Sequence, residues 1–128
     1  MQHPVEQWHH ILERRDAAGL DALLHDDVVF YSPVVHRPQE GKFLTTMYLS
    51  AALQVFVNDT FRYVRQVVGD RDAVLEFMVE IDGIAVNGVD MISWNEEGQI
   101  VSFKVMVRPL KAMQLIHQKM AEMMKHWG

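Results

Sequence analysis

After Asn58–Asp59 the spacing of apolar residues switches from a helical period to strict alternation, and it keeps that alternation to Val107. The stretches Phe61 to Val68, Ala73 to Ile81, Val86 to Trp94 and Ile100 to Val107 therefore read as consecutive strands. The segments between them are short and carry turn residues: Gly69-Asp70-Arg71-Asp72, then Asp82–Gly83 or Asn87–Gly88, then Asn95-Glu96-Glu97-Gly98. None is long enough for a crossover helix, so neighbouring strands must run antiparallel in one sheet.

The first half of the chain is helical by the same test. Pro4 suits the first helical position, and Val5, Trp8, Ile11 and Leu12 follow at helical spacing, with an expected stop near Ala18–Gly19. Leu20 to Leu24 predicts one more short turn. Asp26–Asp27 break the pattern, Val28 to Tyr31 predicts a strand ended by Pro33, and a loop holds Pro38 and Gly41. Leu44, Met47, Tyr48, Ala51 and Val55 place a helix over residues 42–56, and a last helix is expected from about Leu110 to Trp127. The fold class is α+β, with a strongly bent, mostly antiparallel sheet, N-terminal helices on one face and a C-terminal helix. With 128 residues and no linker or repeat, the chain is expected to form a single domain over residues 1–128.

Composition removes several functional classes. The absence of cysteine excludes a thiolate nucleophile and thiolate zinc sites. A net charge of -5 with scattered arginines leaves no basic stripe for nucleic acid. No apolar run reaches a membrane span, and Met1 to His10 lacks the apolar core of a signal peptide, so a cytoplasmic location is expected. The 7 histidines include His9–His10 and His117 with His126, none at metal-binding spacing, so neither a metal nor a cofactor is expected. Glycine-rich phosphate loops and Gly-x-Ser-x-Gly elbows are absent as well.

Asp90 is the residue with the most chemistry in it. It stands in mid-strand between Val89, Met91 and Ile92, where a carboxylate loses water and its pKa rises unless a cation lies beside it. Two readings stand: a protonated acid in an apolar pocket, able to donate to a carbonyl, or a buried ion pair with Arg65, Lys104 or Arg108. Strand alternation puts Asp90, Ile92 and Trp94 on one face, with Phe103 and Val105 as lining from the next strand. Trp8, Tyr48 and Phe77 are further lining candidates, either as pocket wall or as plain core. His36, in the loop after the first strand, is a candidate base because histidine titrates near neutrality. The 9 methionines, four of them Met113, Met120, Met123 and Met124 on the last helix, read first as packing on the domain itself and second as a flexible lid. Apolar residues on both faces of the sheet point to a homodimer formed through it.

Asp26-Asp27-Val28-Val29-Phe30-Tyr31-Ser32-Pro33-Val34, Gly41 before the third helix, Asn87-Gly88-Val89-Asp90-Met91-Ile92 and Glu97-Gly98-Gln99-Ile100 together resemble the SnoaL-like branch of the nuclear transport factor 2-like superfamily. The resemblance implies a cone-shaped sheet closed on one side by helices around an apolar pocket. It also implies a pocket of the kind that serves ketosteroid isomerases, polyketide cyclases, epoxide hydrolases and dehydratases as well as non-catalytic binders. Counted back from Gly98, Asp90 matches the oxyanion-stabilising acid of the isomerases. Their carboxylate base before the strand-ending proline is replaced by Ser32, and their first-helix tyrosine has no counterpart between Val5 and Ala18. The expected function is a small-molecule-binding domain for an apolar or carbonyl-containing ligand. As an enzyme it would be an isomerase or cyclase, with Asp90 as acid and Ser32, Tyr48 or His36 handling the proton. The alternative is a non-catalytic ligand-binding or homodimerisation module.

Overall fold

The computed structural model describes residues 3–125. Helix α1 (Pro4–Arg14) opens with the His3 side chain accepting from the Val5 N–H at 3.1 Å, and it buries Val5, Trp8, Ile11 and Leu12 along one stripe. It stops earlier than its spacing predicts. Arg15 takes a left-handed conformation (φ 50°) and returns its N–H to the carbonyls of Ile11 and Leu12, so a non-glycine residue supplies the cap expected of Gly19. A 3-10 turn (Ala17–Gly19) and the short α2 (Leu20–Leu23) follow.

Strand β1 (Leu24–Tyr31) runs straight through Asp26–Asp27, where the sequence pattern predicts a break. The pairing explains the difference. Leu24 sits opposite Ile100 and Val29 opposite Ser102, so the extra residues bulge outward and leave both aspartates exposed. Lys42 lies 3.4 Å from the Asp26 carboxylate and 3.6 Å from that of Asp21. Residues expected as loop form a two-residue strand, β2 (Gln39–Glu40), beside β1. Helix α3 (Lys42–Phe56) is as expected.

The second half keeps the predicted order with small changes at the ends: β3 (Arg62–Val68), β4 (Asp72–Ile81), β5 (Ile84–Trp94), β6 (Ile100–Arg108) and α4 (Leu110–Lys125). His126 and Trp127, expected at the end of the last helix, lie outside the described residues. The sheet order is β2-β1-β6-β5-β4-β3, with β1 and β6 parallel and the other neighbours antiparallel. Register shifts in β1, in β3 between Tyr63 and Arg65, and after Ser93 in β5 bend the sheet without closing it into a barrel. The helices lie on its inner face, where α1, α3, β4, β5 and β6 contribute to one apolar core.

Of the two candidate turns, Asp82–Gly83 is the hairpin. Both residues have positive φ (50° and 77°), and Ile81 pairs directly with Ile84. Asn87–Gly88 lies inside β5, where Gly88 pairs with Phe77 on one side and Val107 on the other. A Cβ on Gly88 would stand 2.4 Å from the Phe77 ring and 2.8 Å from the Met106 carbonyl oxygen. The missing side chain is what lets the Phe77 ring lie across β5. Gly88→Ala should therefore lower stability by about 3 kcal/mol through overpacking, read as a shift of the urea midpoint with little change in slope.

Candidate functional site

Inner-face alternation along β5 brings Gly88, Asp90, Ile92 and Trp94 to the same side, and all four are buried. Asp90 pairs with Leu75 of β4 and Val105 of β6, so its immediate strand neighbours are apolar. It is only 6% exposed. The cations suggested as partners are all engaged elsewhere. Arg65 lies 3.8 Å from Glu76, Lys104 sits 4.9 Å over the Tyr31 ring, and Arg108 donates to the Asn87 side-chain oxygen at 3.3 Å. The ion-pair reading is thereby corrected, because those three side chains belong to the outer face or to the strand end.

The partner of Asp90 is Tyr63. The Tyr63 hydroxyl donates to Asp90 Oδ2 at 2.5 Å and accepts from Trp8 Nε1 at 2.8 Å. Three elements far apart in sequence (α1, β3 and β5) thus meet in one hydrogen-bonded chain. Burial pushes the Asp90 carboxyl up to about 7, against the opposing pull of the Tyr63 hydrogen bond. Burial also holds the Tyr63 phenol well above its usual range, helped by the Asp90 charge and by the hydrogen bond to Asp90, while the bond from Trp8 works the other way.

This chain borders a small cavity. Its walls include Leu12, Leu49, Phe56, Phe61, Phe77 and Phe103 beside the three hydrogen-bonded residues, and the free space inside is about 40 Å³. The aromatic wall is interlocked: Trp8 meets Phe103 edge-on at 4.9 Å, and Phe61 stacks on Phe77 at 5.4 Å. Asp90 and Tyr63 are the titratable groups among the lining residues. A hydroxyl and a carboxyl that titrates near neutrality, set in apolar walls, can donate hydrogen bonds to a ligand oxygen.

Of the residues singled out from sequence, Trp8, Phe77, Phe103 and Val105 join Asp90 around the cavity. Ile92 and Trp94 share the buried face but are not among the lining residues, and the Trp94 ring packs edge-on against His3 at 5.2 Å. Tyr48 stacks on Phe30 at 5.5 Å. Ser32 and His36 line a different cleft, with Lys104 and Met113, that has only Val105 in common with the cavity. The Ser32 hydroxyl is occupied locally, accepting from the Val34 N–H at 3.2 Å. Tyr63 was not anticipated. Its signal is faint: a lone tyrosine on the first strand of the alternating half, in the register that faces Phe77.

The SnoaL-like domain family matches residues 5–103. The chain belongs to the SnoaL-like family. Among solved structures, a steroid delta-isomerase from Pseudomonas aeruginosa is 38% identical, with 97% of this chain and 90% of that one covered and a TM-score of 0.91. A protein of cystatin-like fold from Silicibacter pomeroyi is 29% identical, covering 93% and 83% of the two chains at a TM-score of 0.86. An NTF2-like protein from Mesorhizobium loti, 19% identical over 83% and 88% of the chains, shares the fold at a TM-score of 0.72. No match is found among curated proteins. Among the described residues no helix is long and apolar enough to cross a membrane, and no group of three or more His, Asp or Glu side chains could hold a metal ion.

The raised carboxyl gives this SnoaL-like domain a defined pH dependence. Asp90 ionises at about 7 when folded and near its ordinary 3.8 when unfolded. Native stability is therefore undiminished below the lower value and falls as pH rises through the higher one. Asp90→Asn is expected to be more stable than the parent chain at about pH 8, by up to about 4 kcal/mol, and the gap should close towards pH 4. Urea unfolding across that range measures it, and a gap that widens at low pH would contradict the assignment.

Proposed function

We propose that this SnoaL-like domain binds a small apolar carbonyl compound, with the carbonyl oxygen received by the Tyr63–Asp90 pair. The observation that carries the reading is the buried Trp8–Tyr63–Asp90 chain at the cavity wall, an acid held near neutral titration with no cation beside it among the described residues. Likeness to a protein described as a steroid delta-isomerase supports a ligand of this kind. Polarising the carbonyl makes its α C–H more acidic, so the reaction class that fits is an isomerisation or cyclisation through an enolate, with Asp90 and Tyr63 stabilising the oxygen. Among the described residues no second carboxylate or imidazole lines the cavity, so the α-proton leaves to solvent or to a group on the ligand itself.

Exchange of α-hydrogens for deuterium in a panel of enolisable methyl and cyclic ketones tests this. Turnover is expected with the parent chain and should fall by about 100-fold or more in Asp90→Asn and Tyr63→Phe. Ketone-dependent thermal stabilisation without exchange would make the domain a carrier, and neither effect would remove the reading.

A second reading concerns assembly. On the outer face, Val67, Val74, Met91 and Met106 are 59%, 37%, 37% and 49% exposed. Val74 pairs with both Val67 and Met91, and the partly buried Val89 pairs with Met106, so the patch is continuous across four strands. Arg65 with Glu76 and the nearby Lys104 place both charge signs around it, so a two-fold copy can set each sign against its opposite. The occupant proposed is a second copy of this chain. Sedimentation should show a dimer that Val67→Glu combined with Met91→Lys converts to a folded monomer; a monomeric parent chain would refute it.

A further inference from the structure

Strand β6 outruns the strand beside it. β1 pairs with it as far as Tyr31 opposite Lys104, whereas β6 continues to Arg108. Local chemistry explains why β1 leaves. The Ser32 hydroxyl accepts from the Val34 N–H and turns the chain, Pro33 has no N–H to give a ladder, and the loop returns as β2 on the far side of β1. Val105 to Val107 are thus left with an open edge. It forms the floor of a cleft of about 570 Å³, walled by Pro33, Val35 and His36 of the loop and by Met113 of α4. Register decides which backbone groups face that cleft. The two-residue turn at Asp82–Gly83 makes Ile81 and Ile84 a hydrogen-bonded pair, so even-numbered residues of β5 turn their backbone groups to β4 and odd-numbered ones to β6. Val89 therefore exchanges hydrogen bonds with Met106, and the backbone groups of Val105 and Val107 point the other way. The Val105 N–H meets Tyr31 at the end of β1. The Val105 carbonyl and both backbone groups of Val107 face the cleft.

Acceptor, donor and acceptor in a row are what an extended backbone answers, in either direction, with two N–H groups and one carbonyl. Charge narrows the partner. Although acids outnumber bases 17 to 12 in the chain, no Asp or Glu lines this cleft among the described residues. Lys104 lies 4.9 Å over the Tyr31 ring and forms no ion pair among the described residues, so its ammonium is available to a visiting carboxylate. Side chains of a strand added here alternate in step with β6. One set falls on the face of Lys104 and Met106, the other beside Val107 and Met113. We propose that an extended acidic segment of a partner protein docks on this edge as an added strand, with carboxylates on the Lys104 face and apolar side chains against Val107 and Met113. The cleft has only Val105 in common with the Asp90 cavity, so the inference does not depend on the carbonyl reading.

Amide NMR of the isotope-labelled chain, titrated with acetyl-Val-Glu-Val-Glu-Val-amide, tests the proposal. The Val107 amide proton is expected to move downfield as its N–H gains a carbonyl partner. The lysine counterpart, acetyl-Val-Lys-Val-Lys-Val-amide, should bind about tenfold more weakly, and in Lys104→Gln that ratio should fall towards one. Backbone methylation of the glutamate peptide separates a strand from a side-chain ligand. N-methylating one alternate set of residues should weaken binding by about tenfold or more, and the other set by less than about twofold, because only one set turns its N–H groups to β6. If neither peptide moves the Val107 signal, the docking site is refuted. If both methylated peptides bind as the unmethylated one does, the cleft takes side chains and not a strand, and the proposal fails. If the lysine peptide binds as tightly as the glutamate peptide, or the ratio survives in Lys104→Gln, the acidic partner is wrong.

Discussion

Asp90 is a carboxyl group buried among Leu75, Val105 and aromatic rings, with no positive charge among the described residues to meet it, and much of the inner face is arranged around that fact. A lone charge in such a place costs several kcal/mol, and the group responds by holding its proton up to near-neutral pH. The remaining polarity is satisfied by neutral donors, the Tyr63 hydroxyl and behind it the Trp8 indole N–H. An arginine in place of Tyr63 would make an ordinary buried ion pair, fully ionised and without a proton to offer. The choice of a phenol keeps the acid stable and chemically available at the same time.

The scaffold serves this arrangement through backbone placement more than through special loops. Antiparallel pairing of β4, β5 and β6 sets Asp90 between two apolar side chains, and the lack of a side chain at Gly88 lets the Phe77 ring cross the same strand two residues away. The shift between Tyr63 and Arg65 in β3 changes which residues face inward just beyond the hydroxyl, so the strand presents Tyr63 to Asp90 and Arg65 to Glu76 on the other side. Helix α1 then lays Trp8 over both. Each member of the site lies in a helix or strand rather than in a loop, so its backbone position is set by the regular hydrogen bonding of that element.

How far the sequence disclosed this differs residue by residue, for physical reasons. Strict alternation is a local signal, so the four strands, their order and the inward direction of Asp90 could be read directly. A carboxylate amid Val89, Met91 and Ile92 is conspicuous for the same reason. Tyr63 was not legible because its role depends on a contact 27 residues away and on a register shift that no local pattern encodes. The first helix holds no phenol between Val5 and Ala18, and β3 supplies one, with the helix contributing an indole instead. Asp26–Asp27 misled because exposed acids resemble a strand break when the bulge that accommodates them is invisible, and Arg15 took a conformation usually reserved for glycine.

Trp8 carries a consequence of its own. An indole N–H gives a hydrogen and accepts none, so the chain Trp8 to Tyr63 to Asp90 has a fixed direction. When Asp90 is ionised, the one hydrogen on Tyr63 is committed to it, and the pair has only acceptor capacity left for a visitor. When Asp90 is protonated, the same contact still needs one hydrogen, and a second becomes free to point into the cavity. The pair therefore has a hydrogen to offer the cavity on the acid side of about 7 and only acceptors on the alkaline side.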